Sequence, residues 1–501
     1  MIAGRRQEIR EQPWRAAQKG TAVQLGRSLA RRSLASPRFC ESLEKSYVIG
    51  SAHAVSLLEA IRSRRVRAGV IGLGYVGLPL AVEFARAGYV TTGIDLDAAK
   101  VDAINAGRSY IDDVSGAEVA KLRAAGRLAA STDFDILHEL DTVNICVPTP
   151  LRKTKDPDLS YIVAATEEVA TRLRPGMLVI LESTTYPGTT DELVLPILER
   201  GGLRGGKDFF LAFSPERIDP SNPTFGTHNV PKVVGGLTSE CTALAGALYE
   251  AAIATVVPVS SPRVAEMVKL LENTFRAVNI GLVNELALMC DRLGIDVWEV
   301  VRAAATKPFG FMPFYPGPGL GGHCIPVDPF YLSWKARQSG FEARFIELAG
   351  AVNGAMPHYV VSLVSDALNS VRLPLNGARV LVAGVAYKRD VDDIRESPAL
   401  DLLALLQTRG AELSYSDPHV PTLPGRLWPN GIDLTHVDLA TVAAEAYDCV
   451  VIITDHSRFD YEALQRAGKM VVDTRNAIQA PGPNVLRLGA PRALVQDPVL
   501  A

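Results

Sequence analysis

Val70-Ile71-Gly72-Leu73-Gly74-Tyr75-Val76-Gly77-Leu78-Pro79-Leu80 decides how this chain folds. The apolar run from Val66 to Ile71 reads as a buried strand, and Leu78 to Gly88 continues as a helix. Val90 to Asp95 then supplies a second strand that ends in an acid. A G-x-G-x-x-G turn between strand and helix, with a carboxylate closing the next strand, is the dinucleotide fingerprint in its required setting. Gly72 permits the tight turn, Gly74 lets a pyrophosphate approach the helix N-terminus past Tyr75 and Val76, and Gly77 allows helix and strand to pack closely. Asp95 can accept from the adenosine ribose hydroxyls and repels a 2′-phosphate, which favours NAD over NADP. The competing reading is a glycine turn with no ligand. A short amphipathic helix from Leu57 to Arg64 leads in.

Two further apolar runs in the same domain end in polar loops. Val143 to Val147 leads to Pro148-Thr149-Pro150, and Leu178 to Leu181 leads to Glu182-Ser183-Thr184-Thr185. Ligands of open α/β sheets lie beyond the carboxyl ends of strands, so Thr149, Ser183 and Thr184 are placed to touch cofactor. Ser and Thr also suit turns and helix N-caps, and both readings stay open. Phe209 to Phe213 runs into Ser214-Pro215-Glu216-Arg217, where Glu216 is either a general base or an exposed carboxylate at a helix start.

Pro262 to Leu293 is a long apolar helix of about 45 Å, enough to connect two domains and to pack on a partner subunit. On it Lys269 and Asn273 share a face. A buried ammonium needs an anion, so Lys269 either meets a substrate oxygen or carboxylate, or snorkels to solvent. Gly317-Pro318-Gly319-Leu320-Gly321-Gly322-His323-Cys324-Ile325-Pro326-Val327-Asp328-Pro329 follows. Its glycines and prolines exclude helix and central strand, which puts the Cys324 thiol on a shaped loop rather than in a core. Helices are expected over Phe330 to Arg337, Phe341 to Asn353 and Pro357 to Arg372.

The strand-and-helix pattern then restarts at Arg379 to Val385, with a helix from Ser397-Pro398 to Arg409 and strands at Ala411 to Tyr415, Tyr447 to Thr454 and Met470 to Asp473. This half has no glycine fingerprint. Lys388, Arg395 and Arg475 stand near its strand ends instead, suited to a second phosphorylated ligand, with a solvated charge cluster as the alternative. The expected fold class is α/β, two Rossmann-like doubly wound domains joined by a long central helix. The expected divisions are a disordered basic extension (1–56), an NAD-binding domain (57–261), a central helical domain (262–372) and a C-terminal nucleotide-sugar domain (373–501).

Composition excludes several classes. A net charge of -3 gives no argument for nucleic acid, and no uninterrupted apolar run has the length to span a bilayer. Cys40, Cys146, Cys241, Cys290, Cys324 and Cys449 are scattered without metal-ligand spacing, so the expectation is a reduced cytoplasmic protein without a structural metal.

Taken together, the Val70 to Leu80 turn, Ser214 to Arg217, Lys269 with Asn273, the Gly-Gly-x-Cys-x-x-x-Asp loop and Tyr387-Lys388 to Arg395-Glu396-Ser397 resemble the nucleotide-sugar 6-dehydrogenase family. Lys307 to Gly319 and His323 to Asp328 are most similar to its UDP-N-acetylglucosamine branch. The resemblance implies oxidation of a primary alcohol to a carboxylate with two NAD, through a thiohemiacetal and a thioester on Cys324. It implies Lys269 and Asn273 at the oxyanion, Asp328 at the water and Glu216 in acid/base transfer, with the lysine also lowering the pKa of the thiol. It implies a cofactor or diphosphate contact at Arg395, substrate contacts at Arg217, Phe314, Gly319, Gly321, Lys388 and Arg475, and a homodimer through the central helix. UDP-glucose, UDP-N-acetylmannosamine and GDP-mannose remain alternative substrates. A non-catalytic nucleotide binder would not need Cys324, Lys269, Asn273 and Asp328 together, and a single hydride transfer would leave the Cys324 loop unexplained.

Overall fold

Two parallel sheets flank the central helices in the computed structural model, which describes residues 49–111, 113–151, 156–218, 224–322, 324–429 and 431–491. The expectation for residues 1–48 lies outside the described residues. The leading helix starts at Ala52, five residues before the expected Leu57, so the division at residue 56 falls inside it. Ser51 caps it, its side chain accepting from the Ala54 amide, and the Glu240 carboxylate takes the Gly50 and Ser51 amides at 2.6 and 3.0 Å. Those amides hold Glu240 below its ordinary pKa.

The first sheet contains β1 (Arg67–Ile71), β2 (Val90–Ile94), β3 (Leu128–Ser131), β4 (Thr142–Ile145), β5 (Leu178–Leu181), β6 (Phe210–Phe213), β7 (Lys232–Gly236) and β8 (Val256–Val259). Their order is β3-β2-β1-β4-β5-β6-β7-β8, parallel except between β6 and β7. The order reverses between β1 and β4, and this switch point opens the crevice in which open α/β sheets bind ligands. Leu, Ile, Val and Phe side chains bury both faces, as a sheet covered on both sides requires.

The second sheet contains β9 (Arg379–Ala383), β10 (Glu412–Ser416), β13 (Tyr447–Ile452), β14 (Gly468–Asp473) and β15 (Val485–Arg487), in the order β10-β9-β13-β14-β15. A two-stranded ribbon, β11 (Thr422–Leu423) with β12 (Leu434–Thr435), was not foreseen.

Between the sheets runs the connecting helix Pro262–Leu293, with the bounds the sequence suggested. Ser261 caps its start, accepting from the Val264 amide, and Gly294 at φ 68° stops it. Lys269 and Asn273 lie on its buried face, whereas Leu271, Phe275, Leu282, Met289 and Leu293 are exposed. The two helices expected over 341–372 are one, Arg344–Ser370, continuous through Pro357. A proline inside a helix costs about 3 kcal/mol. Here the helix is pinned on both sides of it. Asn353 accepts from Asn284 Nδ2 (2.9 Å) and donates to the Ala277 carbonyl (3.1 Å), and Met356, Val360, Val361 and Val364 are buried. No helix among the described residues is long and apolar enough to cross a membrane.

Candidate active site

The glycine turn is built as its roles demand. Gly72 has φ 90°, and a Cβ there would meet the Cys146 carbonyl oxygen at 2.5 Å. A Cβ on Gly77 would lie 1.8 Å from the Gly72 oxygen, so helix Gly77–Arg86 can approach β1 only without a side chain. Gly74 has nothing within 4 Å of its Cβ position and faces open space at that helix's N-terminus, which fits a pyrophosphate. Asp95 reaches back to the turn: Oδ2 accepts from the Leu73 amide at 2.7 Å and pairs with Lys100 at 3.1 Å. It therefore braces the turn.

From Gly74 a cleft of about 560 Å³ runs to Cys324. Tyr75, Val76, Thr149, Ser183, Thr184, Glu216, Lys269 and Arg395 line it. Arg395 stacks 4.9 Å above the ring of the exposed Tyr75 and pairs with Asp393 at 2.6 Å. This joins the last domain to the dinucleotide turn. The Ser183 hydroxyl donates to the Val147 carbonyl at 2.8 Å, and Tyr331 donates to that of Thr149, tying together the loops after β4 and β5.

At the far end of the cleft the connecting helix meets the cysteine loop. Asp328 is buried, and its Oδ2 accepts from Asn273 Nδ2 at 2.5 Å. Burial raises its carboxyl from the ordinary 3.8 to about 6, with Lys269 and the Asn273 hydrogen bond opposing. The Cys324 carbonyl accepts the Val327 and Asp328 amides at 3.1 and 2.8 Å, opening helix Asp328–Gln338. The thiol itself is raised, not lowered as expected. Burial comes first and Asp328 second, and together they outweigh Lys269, Arg395 and Arg276. The cation is present, but a partly buried thiolate facing a carboxylate is the costlier species.

The cysteine loop is also the contact with the last domain. A Cβ on Gly317 would lie 2.6 Å from the Arg475 guanidinium, and one on Gly322 would strike the Tyr387 ring at 2.9 Å. Gly321 lies equally close to Tyr387 and Pro398, and Gly319, at φ 147°, abuts Pro398. Asn284 holds the loop from the connecting helix, its Oδ1 accepting from the Gly317 amide at 2.9 Å. A second cleft of about 780 Å³ opens behind Gly319 and Ile325.

Other expected substrate residues are not brought to either cleft. Arg217 turns to Glu272, at 3.2 and 2.6 Å, and to the Pro231 carbonyl at 2.6 Å, because the connecting helix offers its fork a carboxylate. Phe314 packs edge-on to Phe275 at 5.8 Å. Lys388 is half-buried in the loop after β9, outside the residues lining either cleft. Sequence reading missed Glu182, Lys232, Asn144 and Tyr249, a buried polar cluster behind Glu216. Lys232, an ammonium opening an apolar strand, was the available signal. Asp390, His419 and His456 place potential metal-ligand atoms within 4.8 Å of one another. His456 Nδ1 there accepts the Asp390 amide, and its Nε2 meets the Asp417 carboxylate.

The sequence matches three domain profiles of one family: its NAD binding domain over residues 66–253, its central domain over 263–355 and its UDP binding domain over 381–480. The chain belongs to the UDP-glucose/GDP-mannose dehydrogenase family. Membership makes it an NAD-dependent oxidoreductase and assigns the two sheets to cofactor and nucleotide. Among similar family members, a UDP-N-acetyl-D-glucosamine 6-dehydrogenase of Pseudomonas aeruginosa is 37% identical over 413 residues, covering 81% of this chain and 94% of that protein. A UDP-N-acetyl-D-mannosamine dehydrogenase of Pyrococcus horikoshii is 35% identical over 83% of this chain and 97% of its own length. The structure of a UDP-D-ManNAc dehydrogenase from Pyrococcus horikoshii superposes with a TM-score of 0.77 at 34% identity, covering 85% of this chain and all of that one.

Proposed function

We propose that this family member oxidises the C6 hydroxymethyl group of UDP-N-acetylglucosamine to the uronic acid, through a thiohemiacetal and then a thioester on Cys324. The observation that carries the reading is that Cys324 and Lys269 line one end of a cleft whose other end is the glycine turn, with the buried Asn273–Asp328 pair next to them. A nucleotide binder without chemistry has no use for that thiol. NAD, when bound along the cleft by Gly74, Tyr75, Val76, Thr149, Thr184 and Arg395, supplies the hydride acceptor for both oxidations.

Glu216, 3.5 Å from Lys232 at the cleft wall, is the group for the hydroxyl proton of the first oxidation. Cys324 adds to the resulting aldehyde, and the Lys269 ammonium with the Asn273 amide offsets the charge developing on oxygen. Asp328, with its carboxyl at about 6, suits a base that takes a proton from water near neutral pH to release the acid. It also serves to receive the thiol proton, since the raised Cys324 thiol needs a base to attack. Arg475, whose guanidinium lies against Gly317 of the cysteine loop, fits a diphosphate from the last domain.

The sugar assignment rests on the likeness of the Cys324 loop to the N-acetylglucosamine branch and on relatives that act on N-acetylated sugars. The apolar stripe of Leu271, Phe275, Leu282, Met289 and Leu293 supports a homodimer through the connecting helix. Purified protein with NAD is expected to form two NADH per UDP-N-acetylglucosamine. Turnover with UDP-glucose alone, UDP-N-acetylmannosamine alone or GDP-mannose alone overturns the branch. Cys324→Ser is expected to stop at the aldehyde or to make no acid, and full carboxylate production by this variant refutes the thioester.

A further inference from the structure

Behind the cleft lies a charge cluster that the steps above leave unused except at Glu216. Glu182 follows β5, Lys232 opens β7, Asn144 lies in β4 and Tyr249 in helix Ser239–Glu250. Lys232 Nζ is 2.6 Å from Glu182 Oε2 and 3.5 Å from Glu216 Oε2. Tyr249 and Asn144 donate to Glu182 Oε1 at 2.5 and 2.7 Å. Glu182, Lys232, Asn144 and Tyr249 are all at most 5% exposed. Burial opposes the ammonium, yet the two carboxylates more than offset it and push Lys232 up. The neighbouring Cys146 thiol is pushed well up by burial and then by Glu182.

Two carboxylates share one ammonium, and the buried Asn144 Oδ1 finds no donor. Within the cluster, among the described residues, two carboxylates against one ammonium leave one net negative charge, with the Arg217 and Ile218 amides donating to Glu216 Oε1, in a region that salt screens little. Lys269 and Asp328, further along the cleft, offset each other. Glu182 and Glu216 line the same cleft as Gly74 and Cys324. A dinucleotide with its pyrophosphate on the Gly74 turn would run along the cleft that Glu182 and Glu216 line toward Cys324.

We propose that the net negative charge of the Glu182–Lys232–Glu216 cluster selects oxidised over reduced nicotinamide in the cleft. The two forms of the cofactor differ in the positive charge of the oxidised ring, so a fixed charge beside it acts on that difference. A four-electron oxidation requires reduced cofactor to leave and oxidised cofactor to enter while the sugar stays on Cys324, and this field favours both exchanges. The inference rests on the cofactor reading of the cleft. At an effective dielectric of about 20 and a separation of about 7 Å, one charge changes the binding ratio about fiftyfold.

The test is calorimetric binding of NAD and of NADH to the full chain. Glu182→Gln is expected to lower Kd(NADH)/Kd(NAD) about fiftyfold. Glu182→Gln combined with Lys232→Met restores the net charge, and its ratio is expected within about threefold of the starting value. Glu216→Gln removes the same unit of charge from a less buried position and should shift the ratio as Glu182→Gln does, so a folding defect at Glu182 does not decide the matter. Equal weakening of both nucleotides in the single variants, which a purely structural role produces, overturns the proposal. Failure of the unmodified protein to bind either nucleotide overturns the cofactor reading instead.

Discussion

Replacing Asp328 by Asn separates the cost of the site from its chemistry. The carboxyl rises from 3.8 to about 6 on folding, chiefly through burial. A carboxyl whose folded pKa is raised binds its proton more tightly in the native state. Its destabilisation is therefore absent below pH 3.8, grows between pH 3.8 and about 6 and is complete above that. The shift corresponds to about 3 kcal/mol. The amide of Asp328→Asn cannot ionise, so the stability of this variant relative to the unmodified protein should improve by about 3 kcal/mol between pH 4 and pH 8. Packing changes and the altered pairing of Lys269 contribute at both pH values and largely cancel in that difference. Urea unfolding of both proteins at pH 4, 5, 6, 7 and 8 measures it. At the same time, hydrolysis of the thioester should slow by about 10²–10⁴, leaving acylated Cys324 detectable by mass spectrometry. A difference between the two proteins that stays flat with pH to within about 0.5 kcal/mol refutes the raised carboxyl. Unchanged turnover refutes its role at the water.

Two other substitutions probe the frame. Gly77→Ala puts a methyl group 1.8 Å from the Gly72 carbonyl oxygen, and since backbone must move, a loss of about 3 kcal/mol or more is expected in thermal or urea unfolding, with NAD binding lost alongside. Leu271→Asp puts a charge in the exposed stripe of the connecting helix. Sedimentation velocity should show a monomer, and a dimer of unchanged affinity would place the interface elsewhere.

Much of the frame was legible because the relevant signals are local. The strand, glycine turn and helix around Gly72 are neighbours in sequence, and so are Ser261 and Gly294 with the helix they bound. Pro357 misled because what carries a helix across a proline is not local. Asn353 holds that stretch through Asn284 and Ala277, about seventy residues away. Arg217 misled for a related reason, since Glu272, 55 residues on, takes its guanidinium. The direction of the Cys324 shift depends on burial, which a sequence does not display. The Glu182 cluster draws on β4, β5, β7 and a following helix, and only the strand order brings these together.

The Cys324 carbonyl closes the first turn of the helix that Asp328 begins. The proposed nucleophile and base thereby lie on one continuous piece of chain rather than on two domains. Whatever breathing lets a spent cofactor depart, an acyl group waiting on the thiol keeps its carboxyl neighbour at a constant reach. On the proposed mechanism, the lifetime of the ester is then expected to be governed by proton transfer to Asp328 and not by how often the domains close.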